Sequence, residues 1–147
     1  MNEPTNTALR HLVYRSSATG EVSDETLEAI RRTACSRNQP ESITGFLLFA
    51  DGCFLQLLEG PPEAVGELYT DIQRDPRHHA LELLLDAPCA RRSVPNWSMG
   101  VLFVDDQINA DRGAMFVLEQ ALGHQTLHED VRRTLVAALQ TDASGSR

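Results

Sequence analysis

A chain of 147 residues, 41% of them hydrophobic, has the size and composition of one globular domain. Its formal net charge is −8, with thirteen basic residues that are all arginine and scattered among acids. That pattern excludes a basic stripe for duplex nucleic acid, a P-loop lysine and Schiff-base chemistry. No apolar run reaches the length of a membrane span and the opening stretch, Met1 to Ala8, is polar, so a cytoplasmic protein with no membrane contact is expected.

Leu9 to Ser16 reads as a strand, with Leu12 and Tyr14 on one face and His11 and Val13 on the other. Ser23 can cap a helix running to about Arg37, with Asp24 and Glu25 at its positive end and Leu27, Ile30 and Ala34 as a narrow apolar stripe. Ile43 to Ala50 and Cys53 to Glu59 are apolar runs joined by Asp51-Gly52, a strong hairpin signal. Pro61-Pro62 opens a second helix to about Arg74, with Val65, Leu68, Tyr69 and Ile72 inward. A fourth strand is predicted over Ala80 to Asp86 and a fifth over Trp97 to Val104. Arg112 to Leu122 reads as a helix ended by Gly123. Thr126 and Glu129 can form a capping box that opens a last helix to about Gln140.

This order predicts an α+β fold, the ferredoxin-like βαββαβ unit with an added fifth strand in a mixed sheet. Two helices lie on one face. The hairpin strands are apolar on both sides, so the other face also needs cover, which the Arg112 to Leu122 helix and the Leu127-Val131-Leu135-Leu139 stripe can supply. Residues 105–140 are thus a helical cap, and residues 1–8 and 141–147 are expected to be flexible termini.

Gln56 interrupts an apolar run in the middle of the sheet, and an unpaired amide there would cost roughly 1–3 kcal/mol. By strand parity it shares a face with Phe54 and Leu58, under the two helices, and Tyr14 is its natural companion. An amide has donors at one end and an acceptor at the other, so rotating it exchanges its partners. The pair is either a two-state element or a polar contact that sets register. Asn38, at the end of the first helix, is either a C-cap in a left-handed conformation or an amide fixed at the mouth of the interhelical space.

Metal chemistry has little support. His78 and His79 are adjacent and would point to opposite sides of an extended segment, and a helix break separates His124 from His128. Cys35, Cys53 and Cys89 form no metal or redox pattern and read as small buried residues. No hydrolase elbow, zinc-protease helix or dinucleotide-binding glycine loop occurs.

Taken in order, six segments resemble the BLUF family of blue-light sensors that use FAD. They are Leu12-Val13-Tyr14-Arg15-Ser16, Ser36-Arg37-Asn38, Ile43-Thr44-Gly45-Phe46-Leu47-Leu48-Phe49, Asp51-Gly52-Cys53-Phe54-Leu55-Gln56-Leu57-Leu58-Glu59-Gly60, Asp75-Pro76-Arg77-His78 and Asn96-Trp97-Ser98-Met99-Gly100. The resemblance covers about Leu9 to Phe103, and it implies a flavin-binding domain over residues 9–104 with non-covalently bound FAD between the two helices. By position it implies that Tyr14 is the photoactive tyrosine, Gln56 the switching glutamine and Asn38 the amide on the flavin edge. It further implies that Ile30, Arg77 and His78 line the cofactor and that Trp97 and Met99 relay the signal. Arg37 stands at a variable position of the family. The implied mechanism draws an electron and proton from Tyr14 through Gln56 and leaves the glutamine rearranged.

The chain resembles the short, single-domain members, which carry no turnover site. Those members act through two C-terminal helices on a partner protein, and the helices can also form a homodimer or larger homo-oligomer. A small flavin-dependent reductase and a flavin-free interaction module are the alternatives.

Overall fold

The computed structural model describes residues 8–50, 52–76, 78–104 and 113–145. Its elements are β1 (Leu9–Ala18), α1 (Asp24–Asn38), β2 (Thr44–Ala50), β3 (Cys53–Gly60), α2 (Pro62–Gln73), β4 (His78–Cys89), β5 (Gly100–Val104), α3 (Gly113–Leu122) and α4 (Glu129–Gly145). The sheet order is β4-β1-β3-β2-β5; β1 pairs antiparallel with β3 and β4, β2 antiparallel with β3, and β5 parallel with β2. This is the predicted split unit with its extra strand on the β2 edge.

Local chemistry explains most boundaries. The Ser23 hydroxyl accepts the Thr26 N–H at 3.1 Å, and Asp24 and Glu25 occupy the first turn of α1. Gly52, at φ +78°, lets the β2–β3 hairpin close. A Cβ at Gly45 would lie 2.0 Å from the Leu57 carbonyl oxygen, so the two hairpin strands approach only because this residue has none.

Strand parity divides the core in two, as expected. Leu12, Tyr14, Phe54 and Leu58 pack with Leu27 of α1 and Val65 and Leu68 of α2. Val13, Leu55 and Leu57 pack with Leu118 and Leu122 of α3 and Val131 and Leu135 of α4.

Five expectations are corrected. First, β4 runs from His78 to Cys89, because it pairs along nearly the whole of β1; as an edge strand it tolerates Pro88, and a left-handed Ala80 (φ 56°) accompanies the register shift opposite Arg15 to Ser17. Second, β5 begins at Gly100 rather than Trp97, since the Ser98 carbonyl is taken by the Asn38 amide at 3.0 Å instead of a ladder partner. Third, Asn38 is the last residue of α1 and is followed by a right-handed Gln39; the left-handed position in that turn belongs to Ser42, at φ 61°.

Fourth, the Thr126–Glu129 capping box does not form. Arg91 holds the Thr126 carbonyl at 2.8 Å, and His128 caps the helix instead, its Nδ1 accepting the Asp130 N–H at 3.1 Å. Fifth, α4 continues to Gly145, beyond its predicted end at about Gln140. Arg112, the predicted start of the third helix, lies outside the described residues, as do residues 1–7 and 146–147 of the predicted flexible termini.

Candidate functional site

Between α1 and α2, over the middle of the sheet, lies an open cleft with about 130 Å³ of internal space. Tyr14 and Gln56 form its floor. They face each other directly across the antiparallel β1–β3 pair, which is why the two side chains meet. The Tyr14 hydroxyl donates to Gln56 Oε1, and Gln56 Nε2 donates to the Met99 sulfur at 3.3 Å. Burial, followed by the neighbouring Tyr69 and Asp75, pushes the Tyr14 phenol above the ordinary tyrosine range. The proton therefore stays on the phenol.

Asn38 closes one end of the cleft. Its backbone carbonyl accepts the N–H groups of Glu41 and Ile43 at 3.1 and 3.0 Å, and its Nδ2 donates to the Ser98 carbonyl. The side chain is 1% exposed, yet its Oδ1 has no partner among the described residues. A buried acceptor without a donor is costly unless a ligand supplies one.

His78 forms the opposite wall. Its Nε2 donates to the Ile72 carbonyl at 2.8 Å, which leaves Nδ1 to accept the Ser16 hydroxyl at 2.8 Å. Both ring nitrogens are thus used within the protein, and His78 offers the cleft its ring, packed 6.0 Å from those of Tyr14 and Phe54. Ile30, Leu47 and Ile72 supply apolar lining. Arg37 reaches across the mouth from α1 to pair with Asp71 of α2. Arg77 lies outside the described residues.

The two residues of the predicted relay separate. Met99 is buried on the cleft side against Gln56, whereas Trp97 packs on the other face, edge-on to Phe46 at 6.2 Å. A Cβ at Gly100 would lie 2.9 Å from the Trp97 ring, so that glycine gives the indole its seat.

Sequence reasoning missed Glu59. It is fully buried, accepting the Ser93 and Val94 N–H groups at 2.8 Å each and the Thr44 hydroxyl at 2.9 Å. The available signal was a carboxylate at the end of an otherwise apolar strand. His11 was placed on the correct face but was not singled out; it too is fully buried.

Comparison with known proteins places this geometry. The family model BLUF, sensors of blue-light using FAD, matches residues 9–100. Photoactivated adenylate cyclase subunit beta of Euglena gracilis is 45% identical over 95 residues, 64% of this chain but 11% of that protein. The blue light- and temperature-regulated antirepressor BluF of Escherichia coli (strain K12) is 42% identical over 85 residues, 57% of this chain and 21% of its own. The chain thus spans only a small part of the curated relatives' length. Among solved structures, BlrP1 BLUF superposes with a TM-score of 0.74 at 32% identity, covering 95% of this chain and 93% of that one. The dark-state structure of BlrB gives 0.68 at 31%, covering 90% and 98%.

The residues present fit a flavin. The unpartnered Asn38 Oδ1 can take an imide N–H, and an apolar-walled cleft suits a flat tricyclic ring. With the family match over most of its length, the chain belongs to the BLUF family of blue-light sensors that use FAD.

Proposed function

We propose that Tyr14 and Gln56 are the photoactive pair, that Asn38 anchors the flavin edge, and that Met99 carries the change in Gln56 outward. The observation that carries this reading is the chain of bonds from the Tyr14 hydroxyl through Gln56 Oε1 and Nε2 to the Met99 sulfur. Ile30 and His78 wall the ring, and Arg77 stands at the family's lining position.

Bound FAD supplies blue-light absorption and, when excited, a transient acceptor for an electron. The chain's own residues do the rest. Tyr14 is a buried phenol whose proton has one exit, the Gln56 carbonyl oxygen. Gln56 can pass a proton through its amide and return it, emerging with its donor and acceptor ends differently placed. Met99 suits a neighbour that must tolerate both arrangements, because a thioether is a weak acceptor on a flexible stem. One exchanged hydrogen bond is worth about 0.5–1.5 kcal/mol, so the output is a modest population shift.

Met99 leads directly into β5, which pairs with β2; Leu102 and the α3 residues Met115 and Val117 pack on the far-face core. A displacement of Met99 therefore reaches α3 and α4 through backbone. These helices are read as the output surface, where a partner protein or a second copy of the chain feels the change. The protein is read as a sensor without a turnover site of its own, located in the cytoplasm. Among the described residues, no helix is long and apolar enough to cross a membrane.

The test is an absorption spectrum of the purified protein before and after blue light. A yellow protein with a reversible red shift is expected, and Tyr14→Phe should keep the flavin but lose the normal shift. A protein that takes up no FAD when refolded with excess cofactor would sink the reading. Steady NADH consumption would favour a reductase instead.

A further inference from the structure

On the sheet face opposite the flavin cleft, His11 is fully buried in β1, between Glu59 of β3 and Ala87 of β4 in the pairing register. Neither of its ring nitrogens has a hydrogen-bond partner among the described residues. A neutral imidazole brings one donor and one acceptor into the interior, and leaving both unmet is unusual enough to need a reason. The groups facing it come from the first turn of α4. The His128 ring stands edge-on to it, 4.8 Å between centroids, and the ligating atoms of His11, His128 and Asp130 all lie within 4.8 Å of one another.

We propose that His11, His128 and Asp130 form a binding site for one divalent transition-metal ion, for which zinc is the test case. Two imidazoles and a carboxylate are the donors of an open zinc site, with a water completing the tetrahedron, and imidazole nitrogen disfavours magnesium and calcium.

The position of His128 is built rather than accidental. Its backbone N–H donates to Ser93 Oγ at 2.8 Å, and Ser93 is itself held by Glu59. Arg91 fixes the Thr126 and Leu127 carbonyls just before it. The His128 Nδ1 lone pair now accepts the Asp130 N–H; the same lone pair serves an ion, so binding exchanges a helix-cap bond for a metal bond without moving a proton.

Two features oppose a cation. The positive end of α4 points at the site, and Arg133 already pairs with Asp130 Oδ1 at 3.0 Å. The carboxylates of Glu129 and Asp130 in that first turn, and Asp86 near His11 on β4, offset the first. The second Asp130 oxygen answers the other. Zinc–nitrogen bonds of about 2.0–2.1 Å bring ligands closer together than 4.8 Å. His128 and Asp130, both partly exposed, have the freedom to close that gap onto a fixed His11. The ion would staple α4 to the strand that carries Tyr14.

The experiment uses flavin-loaded protein stripped with a chelator, desalted and dialysed against zinc chloride, with metal content and thermal midpoint measured. One retained equivalent and a raised midpoint are expected. His11→Gln, His128→Ala and Asp130→Asn should each weaken retention at least about tenfold at unchanged flavin content. Zinc held equally by wild type and all three variants would put the ion on other histidines or the cysteines and overturn the site. Wild type that retains no zinc overturns it as well. His128→Ala and Asp130→Asn alter partly exposed residues, so they decide the matter even if His11→Gln does not fold.

Discussion

Gln56 and Glu59 are three residues apart on β3, and their side chains enter opposite faces of the sheet. Both are buried polar groups in an apolar strand, and they are held in contrasting ways. Glu59 is a charge with its acceptors committed to two backbone N–H groups and a hydroxyl, while Arg92 clasps the same turn through Thr44 Oγ1, the Glu59 carbonyl and the Ser42 carbonyl. Gln56 is neutral, with one hydroxyl donor and one sulfur acceptor. Charge-assisted bonds to backbone are about twice as strong as neutral ones and allow no exchange of roles. The comparison teaches what a switch needs: a buried polar group held by partners weak enough to be exchanged, where an anchor is held by several charge-assisted bonds at once.

Breaking the anchor should have the largest effect on stability. Glu59→Ala leaves the Ser93 and Val94 N–H groups buried without an acceptor, at about 1–3 kcal/mol each. Urea unfolding should show the sum, while the flavin red shift of the surviving folded protein stays normal. A lost shift at retained stability would mean the two networks are not separate.

Breaking the switch should cost less. Gln56→Leu removes the acceptor of the Tyr14 hydroxyl, an expected loss of about 1–3 kcal/mol, and light should then leave no normal red shift although the flavin remains bound. A normal photocycle in this variant would rule out the hydrogen-bond exchange.

Met99→Leu sharpens the contrast further. It conserves volume, so a loss of under about 1.5 kcal/mol is expected, but it takes away the sulfur that receives Gln56 Nε2. The red shift should survive while light-induced hydrogen-exchange changes in residues 113–140 shrink. Equal changes in wild type and variant would exclude Met99 as the route.

The smallest effect belongs to a surface pair. Arg10 holds Asp86 through two bonds of 2.7 Å, and this bonding keeps the Asp86 carboxyl below the ordinary aspartate range. A depressed carboxylate contributes stability above the unfolded value, near 3.9, and loses it as pH falls through the lower folded value. Asp86→Asn should therefore cost under about 1 kcal/mol at neutral pH, the solvent-screened worth of such a pair, with the difference vanishing in acid. A difference that grew toward acid would contradict the sign.

The alternation in β1 and β3 already separated Leu12, Tyr14 and Gln56 from Val13, Leu55 and Leu57, because strand parity is a local property that packing has no reason to overturn. Ser23 as a cap, Gly52 as a hairpin turn and Gly123 (φ +65°) as a helix stop were legible for the same reason. The six BLUF segments carried the family. Sequence alone did not decide where a backbone group finds its partner when that partner is distant along the chain. Asn38 takes the Ser98 carbonyl and so delays β5, and Arg91 holds the Thr126 carbonyl while His128 caps α4 in place of the capping box. Tertiary structure likewise put Met99 rather than Trp97 against Gln56, by seating the indole on Gly100. It also brought His11 under the first turn of α4, 117 positions from His128 in a chain whose local patterns say nothing about that meeting. Parity, caps and turns are settled by neighbours in sequence, whereas the identity of a buried polar group's partner is settled only when the layers close.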